Sequence, residues 1–378
     1  RPHMFGRRGR WPLVHGARRF RPCWRASPAG RHRWYGKLRE RESRVPDAFR
    51  VASYNVLNPH LCIPESYPHC DPADLEERRR WPRLLRKLDE VLEASGPSVL
   101  CLQEVNESWA ARLHAHFQQR GYHFIYAPTP RHNFECMGVC LTWPNESFEL
   151  VELDISRVVD YSPPSTTSSF LSRCWAQLNR WRGLPAVSEQ DPWVLAGRRP
   201  NRYAAARLRF RSSGRTFCVA TYHMPCLFGT ALREQTMAVH VAALVNLAQG
   251  FAAGSPLVLA GDFNVQPGAA VHGLLLSGNL DASNASCPPS PPLQCSAYSS
   301  IWPSREGWHF RSAYAEALGK EPDCTVRTWP PEADGPFTAT LDYVFVGQGI
   351  EVCGVRRLPS AALVGDTASV FPSAVEPS

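Results

Sequence analysis

Residues 256–264 read PLVLAGDFN, a short apolar run closed by Gly-Asp-Phe-Asn. The run is too short for an ordinary helix, and Pro256 and Gly261 punctuate its two ends, which is how a buried strand reads. At a strand terminus the side chains leave the core while the sheet still holds their backbone. Asp262 and Asn264 are therefore carried to a rigid edge. Taken alone, an Asp after Gly is more often a turn former or helix cap.

The same arrangement recurs on both sides of that run. Asn55 stands in SYNVL, Glu104 in LQEV, His223 in TYHMPC and Asp342 in LDYVF, each at the end of a short apolar segment. The alternation of FRVASYNVL (49–57) predicts the first of these strands, and Leu75, Trp81, Leu84, Leu85, Leu88, Val91 and Leu92 then recur at helical spacing across 72–93. A strand over 98–102, a helix over 109–119 ended by Gly121 and strands near 122–126, 138–143 and 148–153 follow. Residues 202–210 and 216–222 form a hairpin around RSSGR, because Gly214 can take the positive φ of a tight turn. A helix spans 230–249, and 341–346 and 350–355 look like a second hairpin. Residues 161–200, including YSPPSTTSSF, and the Pro/Ser stretch 282–300 read as loop insertions. The chain is α/β, without an internal repeat.

Composition narrows the class. With 44% apolar and 20% charged residues among 378, the chain is neither wholly disordered nor fibrous. The longest apolar stretch, Val241–Ala260, is interrupted by Asn246, Gln249, Gly250, Gly254, Ser255 and Pro256, so no membrane span is expected. The formal charge of +8 comes from one place: residues 1–39 hold twelve Arg and Lys and no acid, and the remaining 30 bases face all 34 acids. Residues 1–47 read as a basic, disordered arm, less well as a transit segment, since Ser occurs there only at 27 and 43. Attraction to a phosphate backbone would come from that arm or from a local groove. Thirteen Cys, several inside apolar runs (Cys101, Cys140, Cys218) and none in a CxxC pair, suit buried reduced thiols better than a disulfide framework or a structural zinc. A reducing intracellular compartment is expected, the cytoplasm ahead of a mitochondrion or other organelle, with the N-x-S triplets at Asn106, Asn145 and Asn284 as chance matches.

Taken in order, SYNVL, LQEV, TYHMPC, GDFN and LDYVF resemble the endonuclease/exonuclease/phosphatase superfamily, from about residue 49 onward. The YNVL opening, the Tyr67-Pro68 to Arg79 segment and the spacing to LQEV look most like its nocturnin and carbon-catabolite-repression deadenylase branch. The resemblance implies a deoxyribonuclease-I-like four-layer α/β sandwich, two mainly antiparallel sheets flanked by helices. It also implies metal-assisted phosphoester hydrolysis. Glu104 would bind Mg²⁺, with Mn²⁺ as the alternative, and Asn55 would help to hold the ion or its water. His223 would donate to a phosphate oxygen. Asp262 would orient or deprotonate the attacking water, Asn264 would bond the phosphate and that water, and Asp342 would fix a catalytic imidazole.

That imidazole belongs, in the family, to a Ser-Asp-His motif before the last strand. This sequence ends FPSAVEPS and has no His after His309. The expectation is a domain over 48–378 truncated before its last strand, nearly inactive as written, with genuine loss of catalysis as the competing account.

The branch favours an RNA 3′ end or another nucleotide phosphodiester as substrate. A sugar- or lipid-phosphate phosphatase on the same scaffold and an inactive nucleotide-binding fragment are the alternatives. Arg202 and Phe228 are candidate phosphate and base contacts; a surface charge and packing beneath the loop are the plainer accounts. His132 and Asn133 in PRHNF are weaker candidates of the same kind. The leucine-rich-repeat segment of some deadenylases is absent from the sequence given, so recruitment by that route is not expected. Oligomeric state is open.

Overall fold

The computed structural model describes residues 47–94, 96–131, 134–160, 190–291 and 308–358. The expected arm, His132 and Asn133, most of the two insertions and the FPSAVEPS end lie outside the described residues. Among the described residues nineteen elements run in chain order. The first stretch holds β1 (Arg50–Asn55), α1 (Pro72–Leu75), α2 (Glu77–Leu92), β2 (Ser98–Asn106), α3 (Glu107–Gln118), β3 (Tyr122–Arg131), β4 (Phe134–Pro144) and β5 (Phe148–Arg157). After these come α4 (Pro192–Gly197), β6 (Arg202–Phe210), β7 (Thr216–His223), α5 (Ala231–Ala252), β8 (Leu257–Asp262) and α6 (Ala270–Ser277). The last are β9 (Arg311–Ser312), α7 (Ala313–Leu318), β10 (Val326–Thr328), β11 (Phe337–Ala339) and β12 (Asp342–Val346).

Two sheets carry the fold, one four-stranded in the order β1-β2-β4-β3 and one six-stranded in the order β5-β6-β7-β8-β12-β9. Val99, Cys101, Leu141 and Trp143 from the first pack face to face with Phe148, Ala206, Leu208, Phe217, Val219 and Val258 from the second. The outer face of the first sheet is covered by α2 and α3 through Leu84, Leu88, Trp109 and Leu113. The outer face of the second is covered by α4, α5 and α6, with Trp193, Met237, Val241 and Leu274 in the seam. This is the four-layer sandwich that the motifs imply.

Local chemistry explains the boundaries. Asn106, one of the N-x-S triplets, is buried as the cap of α3 and accepts the Trp109 amide at 2.8 Å. Gly121 follows that helix at φ 74, and Gly214 turns the β6–β7 hairpin at φ 75. The expected single helix over 72–93 is two, because the chain is extended at Glu76 (ψ 127).

Two expectations need correction. Residues 350–355 do not pair with β12, since that strand lies between β8 and β9; Ile350 and Val352 are apolar because they pack on the sandwich core. The 161–200 insertion contains the helix α4, started by Asp191, which accepts the Trp193 amide at 2.8 Å, with Pro192 in the first turn.

Candidate active site

Most of the sheet pairing is antiparallel, but β1 runs parallel to β2, and β7 to β8. Parallel neighbours bring their carboxyl ends to the same edge, and in open α/β sheets that edge is where ligands bind. Asn55 stands opposite Gln103 in one pair and His223 opposite Asp262 in the other. Strand β12 arrives antiparallel, so its first residue, Asp342, lies opposite Asp262. Five strand ends from two sheets thereby meet at one rim.

Backbone irregularities aim the side chains. The β2–β4 register shifts between Leu102 and Val105, and within that bulge Glu104 takes φ 60. A left-handed Glu is uncommon, and such outliers gather where the fold must re-aim a side chain. Asn264 is also left-handed, at φ 51, a conformation Asn accepts readily. Gly261 is needed for a different reason: a Cβ there would stand 2.0 Å from the Tyr222 carbonyl oxygen on the neighbouring strand.

Asn55 is the hub. Its Nδ2 donates to Glu104 Oε1 at 2.9 Å and to Asp262 Oδ2 at 3.0 Å, while its Oδ1 accepts the Leu57 amide at 2.9 Å. Glu104 Oε2 accepts the Asn58 amide at 3.1 Å. His223 Nε2 stands 3.9 Å from Glu104 Oε1 and 3.7 Å from Asp262 Oδ2. Both separations exceed a hydrogen bond, so the ring keeps its donor capacity. Asp262 Oδ1 accepts the Asn264 amide at 3.0 Å, and the Asn264 side chain donates to the Met224 carbonyl at 2.9 Å.

Three carboxylates converge with one imidazole. Burial raises the Asp262 pKa and Glu104 adds to the rise, against the His223 charge and the Asn55 bond. Asp342 is pushed well above the usual carboxylate range, first by burial, then by Asp262 and Glu104. Asp342 Oδ1 is shut off from solvent and accepts no hydrogen bond among the described residues. Crowded, under-compensated oxygen ligands are what a hard divalent cation seeks, so Glu104 and its neighbours fit such an ion chemically. No group of three or more His, Cys, Asp or Glu placed to hold a metal ion is found among the described residues.

The two outlying candidates behave differently. Phe228 is 40% exposed, so it does not pack beneath its loop, and only its backbone carbonyl is engaged, by Arg233. The Arg202 amide donates to Thr129 Oγ1 at 3.3 Å, and among the described residues no hydrogen bond or ion pair joins Arg202 or Phe228 to the five converging side chains. Several supporting residues escape a reading of strand ends. Gln103, fully buried, donates to Thr221 Oγ1 at 3.2 Å and accepts from Ser53. Asn201 holds the His223 carbonyl at 2.9 Å, and Thr325 accepts the Asp342 amide at 3.1 Å.

Acid, amide and imidazole side chains thus meet at the carboxyl edge of a two-sheet sandwich. The chain belongs to the endonuclease/exonuclease/phosphatase family, whose model matches residues 52–369. It is 27% identical to Drosophila melanogaster nocturnin over 307 residues, which is 79% of this chain and 40% of that protein. Drosophila melanogaster protein angel is 26% identical over 268 residues, covering 68% and 64% respectively. The chain thus spans less than two thirds of either relative. The crystal structure of ANGEL2, described as a 2′,3′-cyclic phosphatase in complex with adenosine-2′,3′-vanadate, superposes with a TM-score of 0.63. That match is 20% identical and covers 87% of this chain and 92% of the other. Its likeness is one of fold. Family enzymes use divalent metal ions, and no helix among the described residues is long and apolar enough to cross a membrane.

Proposed function

We propose that the protein is a divalent-metal-dependent phosphodiesterase acting at RNA 3′ ends or on another nucleotide phosphodiester. The observation that carries this reading is the convergence of Glu104 and Asp262 with His223 around the Asn55 amide, with Asp342 opposite Asp262 on the ladder. Glu104 is the proposed ligand of Mg²⁺ or Mn²⁺, and Asn55 keeps the two carboxylates it bridges at a fixed separation. When bound, the ion supplies charge stabilisation for the phosphoryl oxygens.

The remaining steps fall to the chain's own groups. Asp262, made more basic by burial, takes a proton from water while that oxygen forms the new bond to phosphorus. The ester bond breaks with its electron pair on the leaving oxygen, which takes up a proton from solvent water as Asp262 gives its own back to solvent. His223 donates to a non-bridging oxygen, and Asn264 holds the phosphate and the water. Asp342 orients an imidazole from a Ser-Asp-His end, and its unmatched buried oxygen supports that role. Arg202 and the exposed Phe228 are proposed phosphate and base contacts outside this centre. A reducing compartment suits the buried free cysteines Cys62, Cys101, Cys140, Cys218 and Cys324.

Hydrolysis of a 2′,3′-cyclic phosphate at an RNA end is the second reading, favoured by the likeness to angel proteins. The deciding experiment follows turnover of oligoadenylate, a 2′,3′-cyclic-phosphate oligonucleotide, a dinucleotide cofactor, and a sugar and a lipid phosphomonoester with Mg²⁺. It compares the sequence as given with one extended through a Ser-Asp-His end. Cleavage of a nucleotide diester by the extended chain, abolished by Glu104→Ala, supports the proposal. Preference for the monoesters replaces it with the phosphatase, and binding without turnover in both chains replaces it with a nucleotide-binding role.

A further inference from the structure

Three consecutive arginines open α2, and only one is buried. Arg78 and Arg79 expose 78% and 51% of their side chains, whereas Arg80 is 1% exposed. An interior guanidinium is tolerated only when its donors are well used. Arg80 donates through Nη2 to the carbonyls of Val56 and of Leu57, each at 2.7 Å, and lies 5.3 Å from the centre of the Trp109 ring.

Those two carbonyls belong to the peptide units 56–57 and 57–58. In a trans peptide the N–H points away from the C=O of the same plane, so holding both carbonyls inward turns the Leu57 and Asn58 amides outward. These are the two amides that reach Asn55 Oδ1 and Glu104 Oε2, at 2.9 and 3.1 Å. Two successive peptide planes face the same way when the residue between them has a helical rather than an extended backbone, and Leu57 takes the left-handed form, at φ 52. Leucine does not adopt that conformation without compensation. A cation on the carbonyl side also polarises each amide as a donor.

We propose that Arg80 is a positioning residue: by gripping both peptide carbonyls of the 56–58 loop, it aims the Leu57 and Asn58 amides that orient Asn55 and Glu104. The proposal rests on the reading of Glu104 as the metal-binding carboxylate for its consequence, not for its geometry. A partner that orients a metal ligand is commonly worth about 10–100-fold in metal affinity.

The test uses the full chain with Arg80→Met and Arg80→Lys, and reads amide hydrogen exchange beside Mn²⁺ affinity by electron paramagnetic resonance. In Arg80→Met the Leu57 and Asn58 amides lose at least about tenfold of their protection while those of Val219 and Leu259 keep theirs. The Mn²⁺ dissociation constant rises by about 10–100-fold, and Arg80→Lys, whose single ammonium can still serve a carbonyl, falls between. Unchanged protection of the two amides, or a loss spread evenly into the six-stranded sheet as for a merely structural residue, overturns the proposal. Should Arg80→Met not fold, Arg80→Lys decides by the same two amides. Absence of Mn²⁺ binding by the unaltered chain sinks the metal reading of Glu104, and the exchange result then judges Arg80 by itself.

Discussion

Asp342 lies directly across the antiparallel ladder from Asp262, so two strands deliver carboxylates to the same spot. Asp262 is buried, Asp342 is half-buried with its Oδ1 shut off from solvent, and both have raised pKa values. A carboxyl whose folded pKa lies above its unfolded value weakens the fold as pH rises through it, at ~1.4 kcal/mol for each pKa unit of the shift. Asp342→Asn is therefore expected to stabilise the metal-free chain at pH 7.5 and to do so much less at pH 4. Hydrolysis by the extended chain falls about 10²–10⁴-fold in the same variant. Urea unfolding at the two pH values checks the first expectation; a variant less stable than the parent at pH 7.5 refutes it.

The Tyr222 hydroxyl and His240 Nδ1 meet at 3.0 Å in the core. Burial, with Arg199 and Arg157 adding to it, holds the His240 pKa down at about 3. With the folded value below the ordinary ~6.5, the unfolded chain takes the proton first, so stability is whole above that pH and lost as pH falls towards 3. Between pH 7.5 and 4.5 the parent should lose about 2–3 kcal/mol more than His240→Leu. Equal losses in calorimetry at the two pH values would contradict the assignment.

Beneath the site, Gln103 ties the sheets together through Thr221 on β7. Gln103→Leu leaves a buried hydroxyl without this partner and costs about 1–3 kcal/mol, whereas Gln103→Leu combined with Thr221→Val costs less than the two separate losses added. A double-mutant cycle by denaturant unfolding measures the difference, and strict additivity means the bond contributes nothing.

Gly261 and Gly250 make a matched pair of glycine tests. A methyl at Gly261 collides with the Tyr222 carbonyl, so Gly261→Ala is expected to cost more than about 4 kcal/mol or prevent folding. At Gly250, within α5, nothing lies within 4 Å of the added carbon. Gly250→Ala should stabilise by about 0.5–1 kcal/mol. Thermal melts of both variants settle the contrast.

The strand-end residues were legible in the sequence because an apolar run that stops at a polar side chain marks both the sheet and its edge. Asn55, Glu104, His223, Asp262 and Asp342 all carry that mark, and the structure brings them together. Arg80 carries none in its immediate surroundings, sitting third in a run of identical residues. Its spacing of four from Leu84 and eight from Leu88 on the buried face of α2 is the signal that could have singled it out. Gln103, Asn201 and Thr325 depend on contacts between distant segments, which no local pattern reveals. The hairpin expected over 341–355 failed because the apolar residues of 350–355 serve packing on the sandwich core and form no second strand. Phe228 shows the same limit, since exposure is set by how its loop folds back.

The bond from Asn55 to Asp262 joins residues 207 positions apart in the chain. Neither sheet holds enough of the centre to act alone, since Glu104 comes from one and His223, Asp262 and Asp342 from the other. During synthesis, then, a growing chain carries Asn55 and Glu104 long before the strand bearing Asp342 exists. A nascent or proteolytically shortened chain that stops before β12 lacks Asp342 and with it part of the proposed centre, so on that reading hydrolysis reports that the whole sandwich has closed.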